Sequence, residues 1–176
     1  MSRLFFALWP DDETRLQIVS VADEFRNENV RLVKSANLHM TLIFLGEVSD
    51  FVKKDVLEQA ASIKSRPFNM NFNRVGWWEK PRIVWLGPSE VTPAISELLE
   101  ALYKILKKHG IKPEKRRFKP HVTIARKAKQ FSAVDSGYEI LWRVKQFALV
   151  NSTSTESGVE YRVLKSWPLT KFEGYK

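Results

Sequence analysis

The order of apolar and polar positions along the chain predicts short β-strands interrupted by three helices. Continuous or alternating runs of apolar, β-branched and aromatic residues, bounded by turn residues, indicate the strands. Strands are predicted over residues 3–9, 30–33, 38–47, 67–75, 82–86, 118–126, 138–150 and 159–167, with a polar loop over 151–158.

The three helices are predicted from their ends as well as from their periodicity. Asp11, Ser49 and Thr92 each precede a segment with apolar residues at helical spacing, and these residue types are favoured at helix N-caps. Pro93 suits the first position of a helix, and Gly110 suits the position just after one. We expect the helices to run from these caps to about residues 28, 64 and 109.

The element order is β, α, β, β, α, β, β, α, β, β, β, in which strand pairs alternate with single helices. This order predicts an α+β fold with antiparallel sheets rather than a doubly wound parallel sheet. The two halves resemble each other, which indicates two pseudo-symmetric lobes around a central cleft. A chain of 176 residues suits a single bilobal domain, and we expect that domain to cover residues 1–176.

Two of the three histidines lie in a pattern that occurs twice, His39-Met40-Thr41 and His121-Val122-Thr123. Each copy lies in an apolar segment predicted as a strand, one in each half of the chain. Because residues two apart in a strand point to the same face, each copy places an imidazole beside a hydroxyl. The alternative, without a catalytic role, is that both histidines are hydrogen-bonded core residues on half-buried strands.

Two such pairs facing each other across a cleft suit acid–base cleavage of a phosphodiester. Histidine changes charge near neutral pH, so one imidazole can take a proton from water while the other gives a proton to the leaving oxygen. The hydroxyls of Thr41 and Thr123 can donate to phosphoryl oxygens, and Arg126 is a candidate for a further donor. Strict alternation along the second motif strand, however, places Arg126 on the face opposite His121. Along the first motif strand, it places Ile43 and Leu45 on the same face as Thr41.

The remaining candidates are weaker. His109, at the end of a predicted helix, reads as a structural residue. The pair Trp77-Trp78 suits base stacking, although tryptophan more often fills a core. Arg82 and Arg117 are possible phosphate contacts but more commonly plain surface cations.

The overall composition excludes several kinds of site and partner. The chain has no cysteine, so it has no disulfide, thiol nucleophile or Cys-ligated metal, and three scattered histidines lead us to expect no metal and no cofactor. No apolar run has the length of a membrane span, and the apolar run near the start of the sequence is too short for a signal peptide. We therefore expect a cytoplasmic protein without membrane contact, and we expect a monomer.

The net charge of +9 favours a polyanionic partner. Cations are concentrated on both sides of the second His-x-Thr copy. One interpretation is a solvated surface without a specific role, and the other is a surface that contacts nucleic acid. These cations are Lys104, Lys107, Lys108, Lys112, Lys115, Arg116, Arg117, Lys119, Arg126, Lys127 and Lys129.

The paired motifs and their surroundings resemble the two-histidine (2H) phosphoesterases, and within them the RNA 2′,3′-cyclic phosphodiesterase, or 2′-5′ RNA ligase, family. The resemblance spans nearly the whole chain. It rests on the segments RLFFALWP, NLHMTLIFLGEV, PRIVWLGP, FKPHVTIAR and YRVLKSWPL.

This resemblance implies a bilobal α+β fold and metal-independent hydrolysis of RNA 2′,3′-cyclic phosphate ends to 2′-phosphates. It implies catalytic roles for His39 and His121 and phosphate binding by Thr41, Thr123 and Arg126. We assign His39 as the acid toward O3′ and His121 as the base on water, although the sequence does not separate these roles. A bell-shaped pH–rate curve is expected.

Three alternatives stay open. The same site can join tRNA half-molecules through a 2′-5′ linkage without ATP, as the family resemblance implies. The basic surface can belong to a non-catalytic RNA-binding module. Another cyclic nucleotide or a 2′,5′-linked oligonucleotide can be the true substrate.

Overall fold

The structure, a computed structural model, describes residues 1–26, 29–112, 114, 116–129, 137–156 and 158–170. The strands are β1 (Ser2–Leu8), β2 (Arg31–Leu32), β3 (Met40–Val48), β4 (Phe68–Trp78), β5 (Ile83–Pro88), β6 (Val122–Arg126), β7 (Ile140–Val144), β8 (Gln146–Thr155) and β9 (Gly158–Pro168). The helices are α1 (Asp12–Asp23), α2 (Asp50–Ala60) and α3 (Pro93–Lys107), with a short 3₁₀ helix at Ser35–Asn37.

The strands form two antiparallel sheets, which confirms the predicted α+β class. The four-stranded sheet has the order β3-β1-β8-β9, and the five-stranded sheet has the order β2-β6-β5-β4-β7. Helix α1 packs against β6 and β7, whereas α3 packs against α2 and β3. Buried side chains from both sheets and all three helices belong to one continuous apolar cluster. The two motif strands, β3 and β6, therefore belong to different sheets.

The helix starts are confirmed, and the helix ends come earlier than predicted. The Asp11 side chain accepts a hydrogen bond from Thr14 N at 2.8 Å, and the Ser49 hydroxyl accepts one from Val52 N at 3.3 Å. Helix α1 ends at Asp23 and α2 at Ala60, because the residues after them turn instead of continuing the helical hydrogen bonds. The predicted end near residue 28 lies outside the described residues.

The segment 138–150, predicted as a single strand, is divided between the two sheets. Strand β7 pairs with β4, the chain passes through Lys145, and β8 pairs with β1 and β9. The apolar residues continue across this junction because both halves are buried, so the pattern does not reveal the change of sheet. The predicted loop over 151–158 is also wrong, since β8 and β9 remain paired up to Thr155 and Gly158.

No helix in the described ranges combines the length and apolar character required to cross a membrane. A single bilobal domain over residues 1–176 stays a prediction.

Candidate active site

The two His-x-Thr copies line one cleft with a volume of about 1120 Å³. His39 immediately precedes β3 and His121 immediately precedes β6, so each histidine stands at the start of a strand and each threonine lies within it. Strands β3 and β6 contact each other although they belong to different sheets. The fold thus brings together residues that are far apart in the sequence.

The two imidazoles are held in the same way. His39 Nδ1 lies 2.7 Å from the carbonyl oxygen of Asn37, and His121 Nδ1 lies 2.7 Å from that of Lys119. A carbonyl oxygen only accepts hydrogen bonds, so Nδ1 carries the proton in both rings and donates it. In the neutral form Nε2 then has the lone pair of a base, and in the charged form it becomes the proton donor.

Both threonines of the two motifs line the cleft. Thr41 Oγ1 is 3.1 Å from His39 Nε2, so the hydroxyl donates to the neutral imidazole. Thr123 is half-buried and lines the same cleft. Both motifs therefore present a histidine and a threonine to the same cleft.

A β-bulge follows each threonine and breaks the alternation expected from the sequence. In β3, Thr41 pairs with Ala7 and Ile43 with Phe6, so Leu42 is the extra residue. Ile43 is consequently buried in the core, and Phe44 reaches the cleft beside Thr41. The prediction that Thr41, Ile43 and Leu45 share a face is wrong, because the bulge shifts the later residues by one position.

The second bulge brings Arg126 to the face that carries Thr123. Thr123 pairs with Trp85 and Arg126 pairs with Ile83, so Ile124 is the extra residue in β6. Trp85 and Ile83 are two apart in β5 and share a face, so their partners in β6 share one as well. Arg126 lines the cleft with His121, and the face assigned to it by strict alternation is wrong.

The cleft favours neutral histidines in the unliganded protein. Burial lowers the pKa of His39 to about 4, and the charges of Arg126 and His121 add to the effect. Burial also lowers the pKa of His121, again with a contribution from Arg126. In each ring the hydrogen bond to a backbone carbonyl acts in the opposite direction. Both groups are thus sensitive to any negative charge that enters the cleft.

Aromatic side chains that sequence reasoning did not single out surround His39. Trp9 stacks on the imidazole with a centroid distance of 5.2 Å and an angle of 6°, while Phe5 and Tyr161 contact it at 5.1 and 4.9 Å. Trp9 is the last residue of the strand predicted over residues 3–9, and this position gave no indication of the contact, since β1 and β3 are distant in sequence. The imidazole of His121, by contrast, contacts Trp78, whose ring meets it edge-on with a centroid distance of 4.6 Å.

The weaker candidates are distributed between the cleft and other places. His109 Nε2 lies 2.7 Å from Asp55 Oδ2, between α3 and α2, which agrees with a structural role. Trp77 packs against the core and donates from Nε1 to Ala128 O at 3.3 Å. Trp77, Trp78 and Arg117 all line the cleft, and Arg82 is not among its lining residues.

The cleft is basic. Among the described residues that line it, three are acidic (Glu79, Glu114 and Glu160), and eight are basic. The basic residues are Arg3, Arg31, Lys34, Lys80, Arg116, Arg117, Lys119 and Arg126. Lys115, from the cationic run around the second motif, lies outside the described residues. Two imidazoles, two hydroxyls and a guanidinium in a basic cleft can bind a phosphate ester and move protons on both sides of it.

Comparison with known proteins identifies relatives that match over most of their length. The chain is 33% identical over 171 residues to the RNA 2′,3′-cyclic phosphodiesterase of Escherichia coli (strain K12), covering 96% of this chain and 97% of that protein. It is 30% identical over 177 residues to the protein of the same name from Archaeoglobus fulgidus, covering 93% and 98%.

Solved structures agree with these relatives. A phosphoesterase crystal structure matches with a TM-score of 0.88 and 32% identity, covering 97% of this chain and 99% of that chain. E. coli LigT in complex with 3′-AMP matches with a TM-score of 0.86 and 32% identity, covering 97% and 99%. Residues 10–156 match the sequence model of the 2′-5′ RNA ligase superfamily. The chain therefore belongs to the 2′-5′ RNA ligase superfamily.

Proposed function

We propose that the protein is an RNA 2′,3′-cyclic phosphodiesterase that opens the cyclic phosphate at an RNA end and leaves a 2′-phosphate. The observation that carries the proposal is the matched pair of imidazoles. Each holds its Nδ1 proton on a backbone carbonyl and leaves Nε2 for chemistry in one shared cleft. The relatives named RNA 2′,3′-cyclic phosphodiesterase support the substrate class.

In the proposed reaction, water attacks phosphorus and the bond from phosphorus to O3′ breaks. One histidine takes a proton from the water as it attacks, and the other gives a proton to O3′ as it leaves. Thr41, Thr123 and Arg126 bind the non-bridging oxygens, on which negative charge increases in the transition state. One water is consumed, and the product carries a 2′-phosphate and a 3′-hydroxyl.

The environment of the two rings supports His39 as the acid and His121 as the base. Both are neutral near pH 7 without substrate, and a bound phosphodiester favours protonation of one of them. His39 is enclosed by Trp9, Phe5 and Tyr161, and burial lowers its pKa to about 4. A protonated imidazole with a low pKa is a strong proton donor, so we assign the transfer to O3′ to His39 and the removal of the proton from water to His121.

The test is an assay with EDTA on a short RNA that ends in a 2′,3′-cyclic phosphate, with separation of the 2′- and 3′-phosphate products. We expect a 2′-phosphate product, and we expect His39→Ala and His121→Ala each to lose at least about 100-fold in rate. His109→Gln is the matched control, because this histidine lies outside the cleft. RNA binding that depends on salt but occurs without any turnover would instead favour a non-catalytic RNA-binding module.

A second candidate is ATP-independent 2′-5′ ligation at the same site, which the superfamily name supports. Ligation uses the same attack on phosphorus, with a 5′-hydroxyl in place of water; the bond from phosphorus to O3′ breaks, O3′ takes a proton, and a 2′-5′ linkage forms. It needs a second RNA end, for example the other half of a cleaved tRNA. An RNA with a cyclic phosphate, assayed with and without a partner that carries a 5′-hydroxyl, distinguishes the two outcomes.

A further inference from the structure

Two rows of side chains cross the five-stranded sheet on the face that lines the cleft. Gly76 of β4 pairs with Trp85 of β5, which pairs with Thr123 of β6. Two residues further along β4, Trp78 pairs with Ile83 of β5, which pairs with Arg126 of β6. Trp85 is therefore a direct neighbour of Thr123, a proposed phosphate-binding residue, whereas Ile83 lies between Trp78 and Arg126.

Gly76 is the position that allows the Trp85 indole to lie where it does. A Cβ atom at residue 76 would lie 2.2 Å from Cζ2 and 2.5 Å from Cε2 of Trp85, far inside van der Waals contact. The indole thus lies across the bare backbone of Gly76. Trp85 Nε1 is buried and has no hydrogen-bond partner among the described residues, so packing rather than a polar contact fixes the ring.

Trp85 is connected to the imidazole of His121 through the ring of Trp78. The rings of Trp85 and Trp78 are 5.4 Å apart, and Trp78 meets His121 edge-on at 4.6 Å. Trp78 thereby covers one side of the imidazole and keeps water from it. Since burial is the main cause of the lowered pKa of His121, this cover also affects the protonation of the ring.

The backbone on the other side of His121 is held by a second close approach. A Cβ atom at Gly87 of β5 would lie 2.6 Å from the carbonyl oxygen of Pro120 and 3.5 Å from His121 Cα. The chain that leads into His121 therefore rests directly on β5. The ring of His121 thus contacts a side chain of β4, and its backbone lies against β5.

We propose that Gly76, Trp85 and Trp78 act together as positioning residues for His121. The glycine accommodates Trp85, Trp85 supports Trp78, and Trp78 fixes the orientation and the water exposure of the imidazole. The turnover readout of this proposal rests on the proposed function, whereas its titration readout does not.

The first test measures the titration of His121 in the free protein by NMR of the imidazole, in Trp78→Leu and in the wild type. We expect the pKa of His121 to rise in Trp78→Leu because water reaches the ring, and the pKa of His39 to stay in place. The matched control is Trp9→Leu, which removes the ring stacked on His39 and should move the His39 titration instead. An unchanged His121 titration in Trp78→Leu would overturn the proposal.

The second test is a double-mutant cycle with Gly76→Ala and Trp85→Leu. Gly76→Ala alone should lower kcat by roughly 10- to 100-fold with a smaller change in KM, because it displaces the ring that supports Trp78. In the Trp85→Leu background, which lacks the clashing ring, the same substitution should have little further effect. Equal losses in both backgrounds would exclude action through Trp85.

Folding and function are separated within the same set of variants. Circular dichroism and thermal unfolding identify a variant that fails to fold. If Gly76→Ala fails to fold, Trp85→Leu, which introduces no clash, tests the support of Trp78 through the His121 titration. If the wild type is inactive on cyclic phosphate but the His121 titration responds to Trp78→Leu, the proposed function fails and the positioning role stands. If the enzyme is active and the titration does not respond, the positioning role fails alone.

Discussion

At the scale of single residues, the two motifs are equivalent in geometry and different in surroundings. Each histidine binds the carbonyl two residues before it, and each threonine is followed by a bulge. The equivalence extends to the fifth residue after each histidine, which reaches the cleft in both cases. This residue is Arg126 in one strand and Phe44, 58% exposed, in the other. Only one wall therefore supplies a cation at that position.

The charge of Arg126 lowers the pKa of both histidines, and its removal should raise both. We expect Arg126→Gln to shift the acid limb of kcat/KM to higher pH, since each imidazole then binds its proton more readily. We also expect kcat to fall by about 100-fold through loss of a charged donor to the transition state. The pH–rate profile measured with EDTA reports both effects.

Arg143→Gln is the matched control for Arg126→Gln. Arg143 is exposed on β7 and is not a lining residue of the cleft, and its removal changes the net charge by the same amount. Its profile should follow that of the wild type. A profile of Arg126→Gln with an unmoved acid limb would show that the arginine does not act on the histidines.

We predict that Thr123 acts through its hydroxyl, which binds a phosphoryl oxygen, and not through packing of its methyl group. Thr123→Val keeps the shape of the side chain and removes the donor, so kcat should fall by about 100-fold. Thr123→Ser keeps the donor and should stay within about tenfold of the wild type. Similar losses in both variants would point to packing of the methyl group instead of a hydrogen bond.

At the scale of the elements, the caps and most strands were predictable, whereas the faces of the motif strands were not. Asp11 and Ser49 act through bonds to residues three positions later, so local sequence is sufficient to find them. The bulges at Leu42 and Ile124 depend on register with β1 and β5, which are distant in sequence. The sheet change at Lys145 depends on pairing partners in the same way.

The N-cap of α1 gives a prediction for stability. Asp11→Ala removes the acceptor for Thr14 N and should cost about 1 kcal/mol in the free energy of unfolding at pH 7, as measured with urea. The hydrogen bond to the Thr14 backbone lowers the pKa of Asp11 in the folded state. Its contribution is therefore present at neutral pH and is lost as the pH falls below about 4.

Asp11→Asn separates the cap from the charge. Asparagine is as good an N-cap as aspartate, so this variant should stay close to the wild type at pH 7. The difference between wild type and Asp11→Ala should shrink on acidification, and that between Asp11→Asn and Asp11→Ala should persist. A difference that is independent of pH in both comparisons would contradict the assigned role of the carboxylate.

At the scale of the whole molecule, two sheets enclose a cleft that excludes enough water to lower both histidine pKa values. Catalysis by the pair requires one neutral and one protonated imidazole. We therefore expect kcat/KM to be bell-shaped with its maximum on the acid side of neutrality, between about pH 4 and 6.5. The two limbs belong to the coupled pair and not to single residues. A maximum above pH 7 would mean that the histidines are not the titrating groups.

The distribution of charge over the cleft gives the last prediction, which concerns the length of the substrate. Eight basic residues and three acidic ones line the cleft among the described residues, and the basic ones include Arg116 and Arg117 as well as Arg126. A cyclic mononucleotide has one phosphate, but an oligonucleotide has further phosphates for these cations to bind. Each such contact with a single strand contributes about −0.7 to the slope of log affinity against log salt. The kcat/KM for an RNA of several nucleotides should therefore fall more steeply with NaCl than that for a cyclic mononucleotide, and Arg117→Gln should reduce the slope for the RNA alone. Equal slopes for both substrates would show that the protein binds only the terminal nucleotide and that the remaining cations do not contact the chain.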